Sequence, residues 1–234
     1  AALPAPTVTV VNNCDGSSVL STDATGTLLW STGESSASII VHSAGDYTVT
    51  STINGCTSAA GTGTASPKST PVAPEVTVVN NCGNTTLSAN VPGTLLWSNG
   101  ESTSSITVTN AATYTVTTTV DGCTSEAGVG VSAPKAIPSA PAVTVANNCG
   151  SATLSTNATG TLLWSNGAST PSITVTDASI YTVTTTVNGC TSEAASEESA
   201  PKAIPAAPVV TVVNNCGSST LSTNATGTLL WSNG

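Results

Sequence analysis

Apolar and polar residues alternate with a period of two along much of the chain, and short polar or glycine-bearing turns interrupt the alternation. The segment 75–131 shows the pattern in full. EVTVVNNC (75–82) sets Val76 and Val78 on one face, and TTLSA (85–89) is a short run around Leu87. GTLLWS (93–98) places Leu95 and Trp97 on one face and Leu96 on the other. SSITVT (104–109) turns Ile106 and Val108 inward, and TYTVTTTV (113–120) aligns Tyr114, Val116, Thr118 and Val120. Alternation of this kind predicts half-buried strands. Asp121–Gly122 follows, with Asn54–Gly55 and Asn188–Gly189 at the equivalent places. Both residues of such a pair accept positive φ, which predicts tight hairpins. CTSEAGVGV (123–131) then opens the last strand. Six or seven short antiparallel strands in so small a unit have to pack as a sandwich.

The unit recurs. Trp30, Trp97, Trp164 and Trp231 are evenly spaced, and Pro71, Pro138 and Pro205 keep the same step. A fixed period sets the architecture. The boundaries fall at 1–70, 71–137, 138–204 and 205–234, the last being the N-terminal part of a fourth repeat. Pro-rich joints separate the units: SPKSTPVAP (66–74), APKAIPSAP (133–141) and APKAIPAAP (200–208), each carrying one of the three lysines. Proline at this density predicts short, semi-rigid spacers. The reading is a string of small domains, with the chain a piece of a longer one.

The cysteines follow the same grammar. Cys82 and Cys123 stand as far apart as Cys149 and Cys190, and Cys14 and Cys56 are only one position further apart. That spacing predicts one disulfide inside each repeat, tying the end of the first strand to the start of the last. Cys216 then lacks a partner within the sequence, because at the same spacing its mate would fall beyond Gly234. Paired cysteines in units of this size point to an oxidising, extracellular setting. On the chain-entropy model, a loop of about 40 residues would contribute roughly 4 kcal/mol to a thin-cored domain.

Composition narrows the function. Charged residues make up 6% of the 234, the formal net charge is −9, and Phe and Met are absent. A bulk of Thr, Ser, Val, Ala, Gly and Asn, taken together, favours β structure and discourages helix. Three Lys and no Arg cannot neutralise a phosphate backbone, which argues against nucleic-acid binding, and no apolar run approaches a membrane span. His42 is the only histidine, the carboxylates do not recur coherently between repeats, and no CxxC or D-x-D-x-D pattern appears. No catalytic residue, metal ligand or cofactor is therefore expected, and the chain is not read as an enzyme. Each repeat has a single Trp and, in the first three, a single Tyr (Tyr47, Tyr114, Tyr181). With Phe and Met missing, Trp30, Trp97, Trp164 and Trp231 and these tyrosines are read as core, in preference to an exposed sugar-binding platform.

The order Cys, Trp, Tyr-bearing strand, Cys is similar to immunoglobulin-like domains, although Cys123 lies nine residues after Tyr114 where two would be usual. The fold class is thus all-β: tandem small immunoglobulin-like sandwiches with one disulfide each, joined by Pro-rich linkers. GTLLWSNGESTSSITVTNAATYTVTTTVDGCTS (93–125) and GTLLWSTGESSASIIVHSAGDYTVTSTINGC (26–56) resemble the immunoglobulin-like repeats of very large surface proteins of Bacteroidota. These include SprB-like gliding adhesins exported by the type 9 secretion system. The resemblance implies an extracellular stalk or filament at the cell surface. Its partners would be a cell-surface or secretion-system anchor at one end and external surfaces or glycans at the other. Two alternatives stand beside it. One is a multivalent module with a weak glycan or surface site per repeat. The other is a self-assembling fibre, which would bond Cys216 to another chain. Near-identity of neighbours favours a spacer: 147–167 and 214–234 differ at one position of 21.

Overall fold

The computed structural model describes residues 3–233. Residues 1–136 form one compact unit and residues 137–234 a second. The fold is all-β, with antiparallel strands throughout and no helix among the described residues.

The first unit holds two sandwiches. In the first, β1 (Thr9–Asn12), β2 (Ser18–Ser21) and β4 (Ser38–Val41) make one sheet in the order β1-β2-β4. The facing sheet pairs β5 (Gly45–Ile53) with β3 (Thr27–Trp30), β6 (Cys56–Thr57) and β7 (Gly61–Ala65). The second sandwich repeats this plan. β8 (Val76–Asn80), β9 (Thr85–Ala89) and β11 (Ser105–Val108) face β12 (Ala112–Val120), which pairs with β10 (Thr94–Trp97), β13 (Cys123–Thr124) and β14 (Gly128–Ser132). Leu20, Leu28, Trp30, Ile39, Val41 and Val49 fill the first core, and Leu87, Leu95, Trp97, Ile106, Val108 and Val116 the second. The inward residues are those that the alternation assigns. Leu29 and Leu96, on the opposite faces of their strands, are exposed.

The second unit contains one full sandwich of the same order. Its sheets are β15 (Val143–Asn148), β16 (Ser151–Thr156) and β18 (Ser172–Val175), facing β17 (Thr161–Trp164), β19 (Ile180–Val187), β20 (Cys190–Thr191) and β21 (Ala195–Glu198). A two-stranded sheet of β22 (Val210–Asn215) and β23 (Ser218–Thr223) follows. TLLW at 228–231 forms no strand, because the 234 residues contain no counterpart of β5 for it to pair with.

The hairpins are of the two-residue kind. Asn54, Asp121 and Asn188 have φ of 52°, 51° and 52°, and the glycine after each is also positive. Val120 then faces Cys123 across the turn. The strand expected as one run over 123–131 is divided. Ser125 Oγ accepts the amide of Thr118 at 3.0 Å, while Ser125 N donates to Thr118 O at 2.9 Å. Pairing resumes at Val116 and Gly128, one residue out of step. A side chain has taken a ladder position from the backbone, and the extra residue forms a bulge.

Candidate functional site at the joint between repeats

The aromatic residues lie inside. Trp30, Trp97 and Trp164 are 2%, 1% and 1% exposed. Each indole N–H donates to a carbonyl six residues on, at Ser36, Thr103 and Thr170, over 2.9, 2.8 and 2.9 Å. A buried Trp with its donor satisfied is packing material. Tyr47, Tyr114 and Tyr181 are half-buried against the same cores, and Tyr47 Oη donates back to Ser43 O at 3.1 Å. Trp231, expected in a core, is instead 36% exposed, since no strand covers it in the partial fourth repeat.

The cysteines require a larger correction. Cys14 is bonded to Cys123 and not to Cys56, over a sequence separation of 109 residues. The bond thus joins the first repeat to the second, with Cα atoms 5.5 Å apart. Cys82 and Cys190, which hold the same two places one repeat further on, are both disulfide-bonded. Cys56, Cys149 and Cys216 are free and exposed. The expected pairs Cys14–Cys56, Cys82–Cys123 and Cys149–Cys190 are therefore not formed, and Cys14 reaches one repeat on instead. The physical reason lies in where the two positions sit. Cys14 follows the first strand at the end of its sandwich that meets the joint. Cys123 follows the Asp121–Gly122 hairpin of the next sandwich, which reaches that joint from the other side.

The joint itself is fastened to the repeat before it. Lys68 N donates to Asn13 O at 3.0 Å, and Gly16 N donates to Lys68 O at 2.8 Å. Ser66 N donates to Asn12 Oδ1 at 2.9 Å. The second repeat has the same three bonds: Lys135 N to Asn81 O at 2.9 Å, Gly83 N to Lys135 O at 2.8 Å and Ala133 N to Asn80 Oδ1 at 3.0 Å. So does the third, with Lys202 N to Asn148 O at 2.8 Å, Gly150 N to Lys202 O at 2.8 Å and Ala200 N to Asn147 Oδ1 at 3.0 Å. The Asn–Asn pair before each first cysteine is what holds the joint, one residue by its side chain and the other by its carbonyl. Across the first joint, Lys68 Nζ reaches the carbonyl oxygen of Asp121 at 2.7 Å. A cleft of about 1100 Å³ lies here, lined by Pro67, Lys68, Pro71, Val72, Val91 and Asp121 among others.

Sequence reasoning missed this arrangement, although the signal was present. The Asn–Asn pair and the joint lysine keep one spacing in three repeats, which a passive tether would not need. His42 lies at the surface, its Nδ1 3.1 Å from Gly16 O. Asp15 beside it accepts from Ser17 Oγ at 2.6 Å and Ser17 N at 2.9 Å, and these bonds hold its carboxyl below the ordinary aspartate range. Both residues belong to the first repeat alone. Among the described residues no cluster of His, Cys, Asp or Glu could hold a metal ion, and no helix is long and apolar enough to cross a membrane.

No protein-family model matches the sequence, and no curated protein matches it. Among solved structures, the chain is similar to a Ca²⁺-stabilized adhesin that helps an Antarctic bacterium reach out and bind ice. Identity there is 20%, the TM-score is 0.42, and the match covers 91% of this chain and 78% of that one. It is also similar to the chicken interferon gamma receptor alpha chain, at 10% identity and a TM-score of 0.26, covering 54% of this chain and 95% of that one. The FN1–FN3 domains of chicken CNTN1 match at 10% identity and a TM-score of 0.24, over 84% of this chain and 98% of that one.

Proposed function

We propose that the chain is a load-bearing stalk, the repeat region of a large secreted surface adhesin that holds adhesive parts away from the cell. The observation that carries this reading is the Cys14–Cys123 bond between successive repeats. A disulfide within a repeat would stabilise that repeat alone. One between repeats adds a second covalent connection across the joint and restrains its angle. Proline fixes φ along the linker, and three hydrogen bonds fasten the start of each joint to the repeat before it. The export route by type 9 secretion and a part in gliding motility rest on the resemblance of the repeat motif and belong to the same proposal.

The clamp also changes what tension does. A pull on the two ends of the chain passes from residue 14 to residue 123 through the sulfurs, which bypass the backbone loop between them. With about 3.5 Å per extended residue, that loop hides roughly 380 Å of contour length. Single-molecule stretching of the intact chain should gain at least that length when a reductant is added. Equal contour lengths with and without reductant would defeat the proposal.

The reading of one glycan site per repeat loses its main support, since the recurring Trp are covered in the three full repeats. A glycan microarray probed with the oxidised chain tests it directly.

A further inference from the structure

The backbone, a disulfide and a hydrogen bond tie the second repeat to the first, and an open space lies among them. The backbone is fixed on both sides of the joint. Residues up to 70 belong to the first repeat: beside the bonds of Lys68, Ser69 bridges to Asp15, and Thr70 Oγ1 donates to Cys14 O at 2.8 Å. Pro74 is buried on the second sandwich, packed so closely that a Cβ on Gly128 of β14 would lie 2.0 Å from its carbonyl oxygen. Pro71, Val72 and Ala73 remain between these anchors, and they make no hydrogen bond to the described residues of either sandwich. Val72 is 87% exposed.

The second tie is the Cys14–Cys123 bond, with Cys123 1% exposed. A body tied to another at two places keeps one freedom, rotation about the line through both. A further tie away from that line removes it. Lys68 Nζ on Asp121 O is that further tie, and both residues line the cleft, which neither cysteine does. It is the one tie that is neither covalent nor buried, and exposed bonds of this kind are weak. Room for the rotation is present as well. The cleft of about 1100 Å³ is lined by Pro67 and Lys68 from the first repeat and by Asn90, Val91 and Asp121 from the second.

We infer that this joint is a single-axis hinge, with 71–73 and the Cys14–Cys123 bond as its pivots, the cleft as its range and Lys68 as its latch. Release of Asp121 O frees the sandwiches to swing about that axis and narrow or widen the cleft. They do not twist freely or part, because the sulfurs hold. Hinges concentrate the φ/ψ change in a few loop residues, here Val72 and Ala73, since the ring of Pro71 fixes its φ. A stalk built this way yields sideways in one plane and stays stiff to torsion. The hinge rests on the clamp reading above and adds a direction of motion to it.

The test measures residual dipolar couplings of backbone amides in the full chain, in a weakly aligning medium. Each sandwich of the first unit yields its own alignment tensor, and the difference between the two reports the motion at the joint and its axis. In the oxidised protein the difference should be small and confined to one axis. Lys68→Met should enlarge it about the same axis, while the amide signals of the Trp97 core stay in place. A reductant should enlarge it further and spread it over all axes. Tensors that Lys68→Met leaves unchanged would overturn the hinge, and so would motion about several axes with the disulfide intact. A digest of the oxidised sample reports the Cys14–Cys123 peptide. Its absence sinks the clamp reading, whereas its presence with unchanged tensors sinks the hinge alone.

Discussion

Lys68 and Asp121 meet across the joint between the first two repeats, the lysine Nζ donating to the backbone oxygen of a residue 53 positions further on. The acceptor is a carbonyl at the first position of a hairpin, so the contact reads the shape of the turn and not the charge of the aspartate. The bond is surface-exposed, and such bonds contribute about 1 kcal/mol or less. Lys68→Met should leave thermal stability within about 0.5 kcal/mol. It should still shift the NMR amide signals of Asp121 and Gly122, while those of the Trp97 core stay in place. Unchanged signals at the turn would show that the lysine does not rest there in solution.

Cysteine variants separate the two connectivities. Cys14→Ser and Cys123→Ser break the same bond and should lower the midpoint of thermal unfolding by the same amount. Cys56→Ser removes an exposed free thiol and should change little. Pairing within repeats predicts the opposite grouping, with Cys14→Ser matching Cys56→Ser. For a loop of this length the chain-entropy model puts the disulfide's worth at about 5 kcal/mol. The measured loss should fall below that, because each sandwich keeps its own core when the bond is cut.

The sandwich was legible because its evidence is local. Val76, Val78, Ile106 and Val108 alternate within short runs, and Asp121–Gly122 names its own turn. The disulfide partner was not legible, because the distance from Cys14 to Cys56 in space depends on how the ends of the sandwich are disposed. Cys14 and Cys56 have the spacing of an internal pair, yet Cys14 bonds across the joint that follows its repeat and Cys56 stays free and exposed. A constant repeat length makes pairing within a repeat and pairing one repeat on equally regular in sequence, so regularity could not choose between them. The split of the last strand at Ser125 escaped for a related reason. Serine in a Thr/Ser-rich strand gives no sign that its hydroxyl will replace a backbone group.

The tryptophans give a spectroscopic check. Trp30, Trp97 and Trp164 should emit in the blue and resist quenching by acrylamide, leaving Trp231 as the accessible fraction. Trp231→Phe should therefore remove most of the quenchable emission without altering the melt. Trp97→Ala removes a 1%-exposed ring from a core that has no Phe or Met to repack with. Loss of a buried aromatic costs about 3–5 kcal/mol, enough to unfold a repeat of this size. Trp97→Phe keeps most of the volume but abandons the carbonyl of Thr103, and should cost about 1–3 kcal/mol.

The two glycines of GTLLWSNG (93–100) differ in kind, and substitution should tell them apart. Gly93 has φ of 99°, and a Cβ there would lie 2.5 Å from the carbonyl oxygen of Thr119 and 2.7 Å from Thr118 Oγ1. Thr118 is itself buried at 1% exposure, and its Oγ1 donates to Pro92 O at 2.6 Å. Gly93→Ala must therefore move β10 away from β12 or break that bond. Gly100 has φ of 89°, with nothing within 4 Å of the Cβ position. Gly100→Ala faces only the strain of positive φ, about 1–2 kcal/mol. Gly93→Ala carries the same strain plus the clash, and should be the worse by at least about 1 kcal/mol. Chemical denaturation of both variants, followed by Trp emission, gives the comparison. Equal losses would mean that the β10–β12 pair yields more easily than its register implies, and Gly93 would then matter only for its backbone angle.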